Sequence, residues 1–98
     1  MKREELIERL RSLKPLLAET GVTHISLFGS RARNDHRSDS DLDLLIEVDP
    51  GRKFSLVDLA RAQAGVSREI GIPASLAMKR SLDRRFAAEI AGDVIDVF

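Results

Sequence analysis

The 98-residue chain has no cysteine, no tryptophan and no tyrosine, and its only aromatic side chains are 4 phenylalanines. Without thiols it forms neither a disulfide nor a thiolate metal site, a usage that suits a cytoplasmic protein. There is no excess of charge of either sign, since 16 Lys and Arg balance 16 Asp and Glu. A bulk basic surface is therefore not expected, and with it no direct nucleic-acid binding. No apolar run approaches the roughly 20 residues that cross a bilayer, so no membrane association is expected. The run Met1-Lys2-Arg3-Glu4-Glu5 is charged and passes into a mixed polar and apolar pattern, unlike a secretory leader. Linkers, repeats and low-complexity stretches are missing as well. What is present, 43% apolar residues in a chain of this length, fits one domain, residues 1–98, around a single modest core.

Hydrophobic periodicity sets the expected elements. Leu6, Leu10, Leu13 and Leu17 recur at helical spacing, which predicts an amphipathic helix over about residues 3–19. Pro15 should kink it or break it near Leu13, and Gly21 should end it. Thr23 to Phe28 reads as a strand with Ile25 and Leu27 opposite His24 and Ser26. In a second strand Leu42, Leu44, Ile46 and Val48 fall on one side, and Asp41, Asp43 and Glu47 on the other. Asp49-Pro50-Gly51 is a turn signal. Ser55 and Asp58 form a capping-box pattern ahead of a helix through Leu59, Gln63, Val66 and Ile70, with Gly65 a weak point and Gly71 the stop. Ile72 to Met78 alternates as a third strand. Ser81 is placed as the cap of a last helix carrying Phe86 and Ile90, ended by Gly92. The apolar tail Val94 to Phe98 is expected to add an edge strand or cover the core. Helices alternating with strands give an α/β or α+β fold, a small mixed β-sheet with helices packed on it.

Chemistry concentrates in one stretch. Phe28-Gly29-Ser30-Arg31-Ala32-Arg33 is followed, with 10 residues between Ser30 and Asp41, by Asp41-Leu42-Asp43. On a strand Asp41 and Asp43 point the same way, roughly 7 Å apart along the backbone. Two carboxylates so close repel each other, and hard dications offset that repulsion. Magnesium takes one or two carboxylates and completes its shell with phosphate oxygens and water. Upstream, Gly29 lets the backbone approach a phosphate closely. Ser30 offers a hydroxyl where a short helix can begin, with free N–H groups facing an anion. Arg31 and Arg33 add positive charge. A calcium loop built on Asp35, Asp39, Asp41 and Asp43 lacks the turn glycine and the downstream bidentate Glu of an EF-hand. His24, among core residues on a strand, and His36, in a loop expected to face solvent, receive no catalytic role.

Gly-Ser, ten residues and Asp-x-Asp together resemble the signature of the polymerase-β-like nucleotidyltransferases. The Gly-Ser-Arg-Ala-Arg form in so short a chain is similar to the minimal nucleotidyltransferase (MNT) family of bacteria and archaea. The resemblance runs through most of the chain. It implies a nucleotidyltransferase fold and nucleotidyl transfer from ATP with two magnesium ions. In that scheme Asp41 and Asp43 are the catalytic and metal-binding carboxylates. Gly29 and Ser30 bind the nucleotide's β- and γ-phosphates, and Arg31, with Arg33 as a weaker candidate, neutralises the departing pyrophosphate. Family members are encoded beside HEPN-domain proteins, so the implied partner is a HEPN-domain toxin, adenylylated on a hydroxyl by its antitoxin.

The third strand departs from the family pattern. A third carboxylate is usual there, and the matching run Ala74-Ser75-Leu76-Ala77 puts Ser75 in its place. Glu47 shares the parity of Asp43 but lies two pairs further along and reads as a solvated strand residue. Two readings stay open: an adenylyltransferase antitoxin working with two acids, or a catalytically weak or inactive antitoxin that neutralises its toxin by binding. A small-molecule nucleotidyltransferase working as a homo-oligomer, with the acceptor held between subunits, is a weaker third.

Overall fold

The leucines of the N-terminal segment build two helices rather than one. In the computed structural model, which describes residues 1–98, α1 spans Arg3–Arg11 and α2 spans Lys14–Thr20. The break falls at Ser12 and Leu13 because Pro15 lies in the first turn of α2, where its missing N–H costs nothing and its ring would clash with a preceding helical turn. Gly21, at φ 98°, closes α2 in the left-handed conformation. Then follow β1 (Val22–Phe28), the short α3 (Ser30–Arg33), β2 (Leu42–Val48), α4 (Leu56–Ile70), β3 (Ala74–Met78), α5 (Arg84–Ile90) and β4 (Ile95–Asp96).

The four strands form one mixed sheet in the order β3-β2-β1-β4. β1 runs antiparallel to both β2 and β4, while β2 and β3 are parallel and joined through α4, as parallel strands require a crossover. A bulge between Val22 and His24 shifts the parity of β1, so that Val22, Ile25 and Leu27 all reach the core. One face of the sheet, with Ile25 and Leu27 of β1, Leu42, Leu44 and Ile46 of β2, and Leu76 of β3, packs with Leu6, Leu10 and Leu17 of α1 and α2 and Val66 and Ile70 of α4 into the main core. The opposite face carries a smaller cluster of Phe28, Leu45 and Ile90, the last from α5. The expected tail strand forms: β4 pairs with Ser26 and Leu27, and Val97 is buried.

α4 does more than cover the core. Its capping box is complete, with Asp58 N–H donating to Ser55 Oγ and Ser55 N–H donating to Asp58 Oδ2. Its Gln63 Oε1 accepts from Leu76 N–H at 3.1 Å and its Ser67 Oγ accepts from Ala74 N–H at 2.9 Å. These two side chains occupy amides of β3, an edge strand, and blunt the exposed edge. The last helix corrects the expected cap: Lys79–Ser81 form a 3-10 turn, and α5 is capped by Asp83, whose carboxylate accepts from Arg85 N–H. No helix is long and apolar enough to cross a membrane.

Candidate active site

Strand register decides which side chains meet. Phe28, the last residue of β1, pairs with Asp43, and on the other side Asp43 pairs with Ser75 of β3. Gly29 and Ser30 therefore emerge beside the Asp43 carboxylate. Gly29 sits at φ 78°, ψ −157°, a region that only glycine occupies readily. A Cβ built there would lie 2.6 Å from Asp43 Oδ2. The sequence suggested that Gly29 makes room for a phosphate; the structure shows it making room for the catalytic-candidate carboxylate. Gly29, Ser30, Arg33, Asp43, Ser75 and Phe86 share an open cleft of about 520 Å³. Asp41 stands just before β2, exposed, and lies close enough to Asp43 to act on its charge.

The carboxylates are left without partners. No hydrogen bond and no ion pair within the chain engages the carboxylate of either Asp41 or Asp43, although Asp43 is only partly exposed. Its carboxyl is raised above the ordinary range, first by burial and then by the charge of Asp41, with Arg33 opposing. Each of these costs favours a cation at this place. No group of three or more His, Cys, Asp or Glu gathers anywhere in the chain. Asp43 in the open cleft and Asp41 near it are hard oxygen donors that fit magnesium bringing phosphate oxygens and water with it, rather than a dedicated protein cage. Ser30 hydroxyl likewise takes part in no hydrogen bond. The amides of Ser30 and Arg31 open α3 ahead of any acceptor within that helix, and Ala32 and Arg33 N–H both return to Gly29 C=O at 3.1 Å.

Arg31 has a different place from the one expected of it. The residue is 4% exposed, and its guanidinium donates through Nε and Nη2 to Ser40 C=O, at 3.1 and 2.8 Å. It thereby ties α3 to the residue immediately before Asp41. Nothing in the local sequence signals this, because the acceptor is a main-chain carbonyl at the far end of the loop. Arg33 remains at the cleft, held by Asp35 at 3.1 Å and by Asp93 at 3.2 Å. Those two partners raise its already high pKa further. Glu47 is exposed, 3.9 Å from Lys79, and away from the cleft, as its place two pairs beyond Asp43 implied. His36 departs from expectation: it is half-buried, and its Nδ1 has no hydrogen-bond partner. His24 is exposed, its Nδ1 3.1 Å from Thr23 Oγ1. Phe86, expected only as an apolar residue of the last helix, stands 39% exposed at the cleft.

Against known proteins, residues 3–96 match the nucleotidyltransferase domain model. The chain belongs to the nucleotidyltransferase domain family. A Methanocaldococcus jannaschii relative named as a candidate protein adenylyltransferase is 32% identical over 87 residues, 89% of this chain and 91% of its own. The protein adenylyltransferase MntA of Thermococcus cleftensis is 30% identical over 95 residues, 96% of this nucleotidyltransferase and 94% of its own length. Among solved structures, a candidate minimal nucleotidyltransferase superposes with a TM-score of 0.79 at 33% identity, over 97% of this chain and 95% of that one. The MNT fold also recurs, at a TM-score of 0.68 and 12% identity over 98% of this nucleotidyltransferase and 71% of the other chain, in a complex of a tri-AMPylated Shewanella oneidensis HEPN toxin with MNT antitoxin. At that identity the likeness concerns the fold.

Proposed function

We propose that this nucleotidyltransferase is an antitoxin that transfers AMP from ATP to a hydroxyl of a HEPN-domain toxin. The observation that carries the reading is the convergence of Gly29, Ser30 and Asp43 on one cleft, with Asp41 close enough to act on the charge of Asp43 and both carboxylates unpartnered. Relatives named protein adenylyltransferases over nearly the whole chain support the reaction class, and the AMPylated HEPN toxin of the Shewanella complex supports the acceptor.

In this reaction the toxin's hydroxyl oxygen bonds to the α-phosphorus of ATP. The α–β anhydride bond breaks, pyrophosphate leaves with the electron pair, and the hydroxyl proton passes to water. Two magnesium ions, when bound, neutralise the triphosphate and the entering and leaving oxygens. The chain's residues supply position. Ser30 hydroxyl and the first amides of α3 hold the β- and γ-phosphates. Asp41 and Asp43 would hold the metal, and Gly29 keeps its turn against Asp43. Arg33, at the cleft, would meet the departing pyrophosphate, and Arg31 fixes the loop that delivers Asp41. With the carboxylates and donors already in place, most of the rate comes from positioning and charge compensation.

Ser75 favours a second reading. It stands opposite Asp43, where a third carboxylate would lie, and a hydroxyl brings no negative charge. General-base help is worth about 10²–10⁴-fold, so the antitoxin works slowly or acts by contact. Incubating the chain with α-labelled ATP, magnesium and its HEPN partner separates the two. Label on the partner, absent with Asp41→Ala/Asp43→Ala, is the result expected. A silenced partner that carries no label would leave binding as the mode of action. In the first case Ser75→Asp should accelerate transfer, and a large gain would show that the rest of the site is assembled.

A further inference from the structure

Phe86 has no task in the chemistry just described, yet its surroundings are specific. Of the four phenylalanines, Phe28 is buried and Phe54 and Phe98 pack partly buried on the main core. Phe86 alone is exposed, at 39%, and it lines the cleft that holds Gly29, Ser30, Asp43 and Ser75. Its ring is not loose. Phe28, the residue that precedes Gly29, meets it in a T-shaped contact with centroids 6.0 Å apart and planes at 83°. The phosphate turn and this ring are thus fixed to each other through one side chain. The cleft has polar groups at Ser30, Asp43 and Ser75, and an apolar wall made by Phe86, Ala77 and Ile90. A nucleoside triphosphate has the same division: a charged chain at one end and a flat, weakly polar base at the other.

We propose that Phe86 is the platform on which the base of the bound nucleotide stacks. The proposal rests on the nucleotidyltransferase reading of the cleft and deepens it, since it assigns the base subsite to α5 of the chain itself. Phe86 is a binding residue in this scheme and takes no part in bond making. With the triphosphate anchored at Ser30 and, through the magnesium that the carboxylates would hold, beside Asp43, the base finds an exposed ring face on the apolar wall. Base–aromatic stacking lost on truncation corresponds to roughly 5- to 150-fold in affinity.

The test compares wild type, Phe86→Ala and Phe86→Trp by calorimetric titration with ATP and, separately, with inorganic triphosphate, both in magnesium. Circular dichroism establishes that each variant is folded. Phe86→Ala should weaken ATP by roughly 5- to 150-fold and leave triphosphate unchanged. Phe86→Trp should keep ATP affinity. The chain has no tryptophan of its own, so the new indole is a single reporter whose fluorescence ATP should quench and triphosphate should not. ATP affinity unchanged in Phe86→Ala overturns the proposal. So does an equal loss for ATP and triphosphate, which marks a purely structural ring. If Phe86→Ala does not fold, an unquenched Phe86→Trp overturns it. Failure of the wild-type chain to bind ATP at all would instead bring down the functional reading beneath it.

Discussion

Gly29→Ala perturbs the one residue on which the geometry of the cleft turns. At φ 78°, ψ −157° the backbone of residue 29 is in a region essentially reserved for glycine, and an L residue there costs about 1–3 kcal/mol. The steric problem is separate from the conformational one. The new methyl would lie 2.6 Å from Asp43 Oδ2 and 3.3 Å from Asp43 Cβ and Cγ. The Asp43 side chain is flexible enough to turn away, so the clash is relieved by moving the carboxylate. In a domain of this size each kcal/mol shifts Tm by about 4–8 °C, so backbone strain alone lowers Tm by roughly 4–24 °C. A misplacement of about 1 Å at a reacting centre costs about 10²-fold in rate. Thermal unfolding followed by circular dichroism, with label transfer measured well below both midpoints, separates the two effects. The expected outcome is a lowered Tm together with a loss of transfer of about 10²-fold in protein that is still folded. A variant with wild-type Tm and wild-type transfer would refute the reasoning about both backbone and site.

Other consequences follow from the same geometry. Asp43 has a folded pKa above its unfolded value, mainly through burial. Its contribution is therefore most favourable at low pH and is lost as pH rises through the folded pKa. Asp43→Asn should accordingly keep or raise Tm at pH 7 without magnesium while abolishing transfer, and a lowered Tm would contradict this. Arg31→Ala leaves Ser40 C=O without its two guanidinium donors and should cost about 1–3 kcal/mol in denaturant unfolding. Arg31→Lys should rescue it incompletely, since an ammonium does not reproduce the planar fork. At α4, Ser55→Ala removes the side-chain cap and should cost about 1 kcal/mol. Asp58, lowered in pKa by the backbone and hydroxyl of Ser55, supports the fold fully above its unfolded pKa and loses that support as pH falls through its lower folded value. Asp58→Asn should therefore flatten the acid limb of the stability–pH curve.

The elements that were legible in advance are those written in local periodicity. The leucine repeat of α1 and α2, the alternation in β1 and β2, and the Ser55–Asp58 box all appear as read. The Gly29-Ser30 and Asp41-x-Asp43 pairing was legible because two fixed spacings imply one hairpin-sized unit, and the register of Phe28 with Asp43 brings them together. What was not legible depends on contacts between distant parts of the chain. Arg31 looks like a solvated cation until the loop returns Ser40 to it. Gly29 looks like a phosphate turn until Asp43 is seen beside it. The sequence places the cap of α5 at Ser81, but Lys79–Ser81 wind into a 3-10 turn and the cap falls on Asp83. Phe86 fits helical periodicity, and its exposure comes from an α5 that covers only part of the outer face of the sheet.

The measurement that bears most directly on the central claim is the intact mass of the HEPN partner after incubation with this chain, ATP and magnesium. The account predicts a gain of one or more adenylyl groups, lost when Asp41 and Asp43 are both replaced by alanine. A partner of unchanged mass, held inactive in a stable complex, would contradict it and leave a nucleotidyltransferase fold that acts by contact alone.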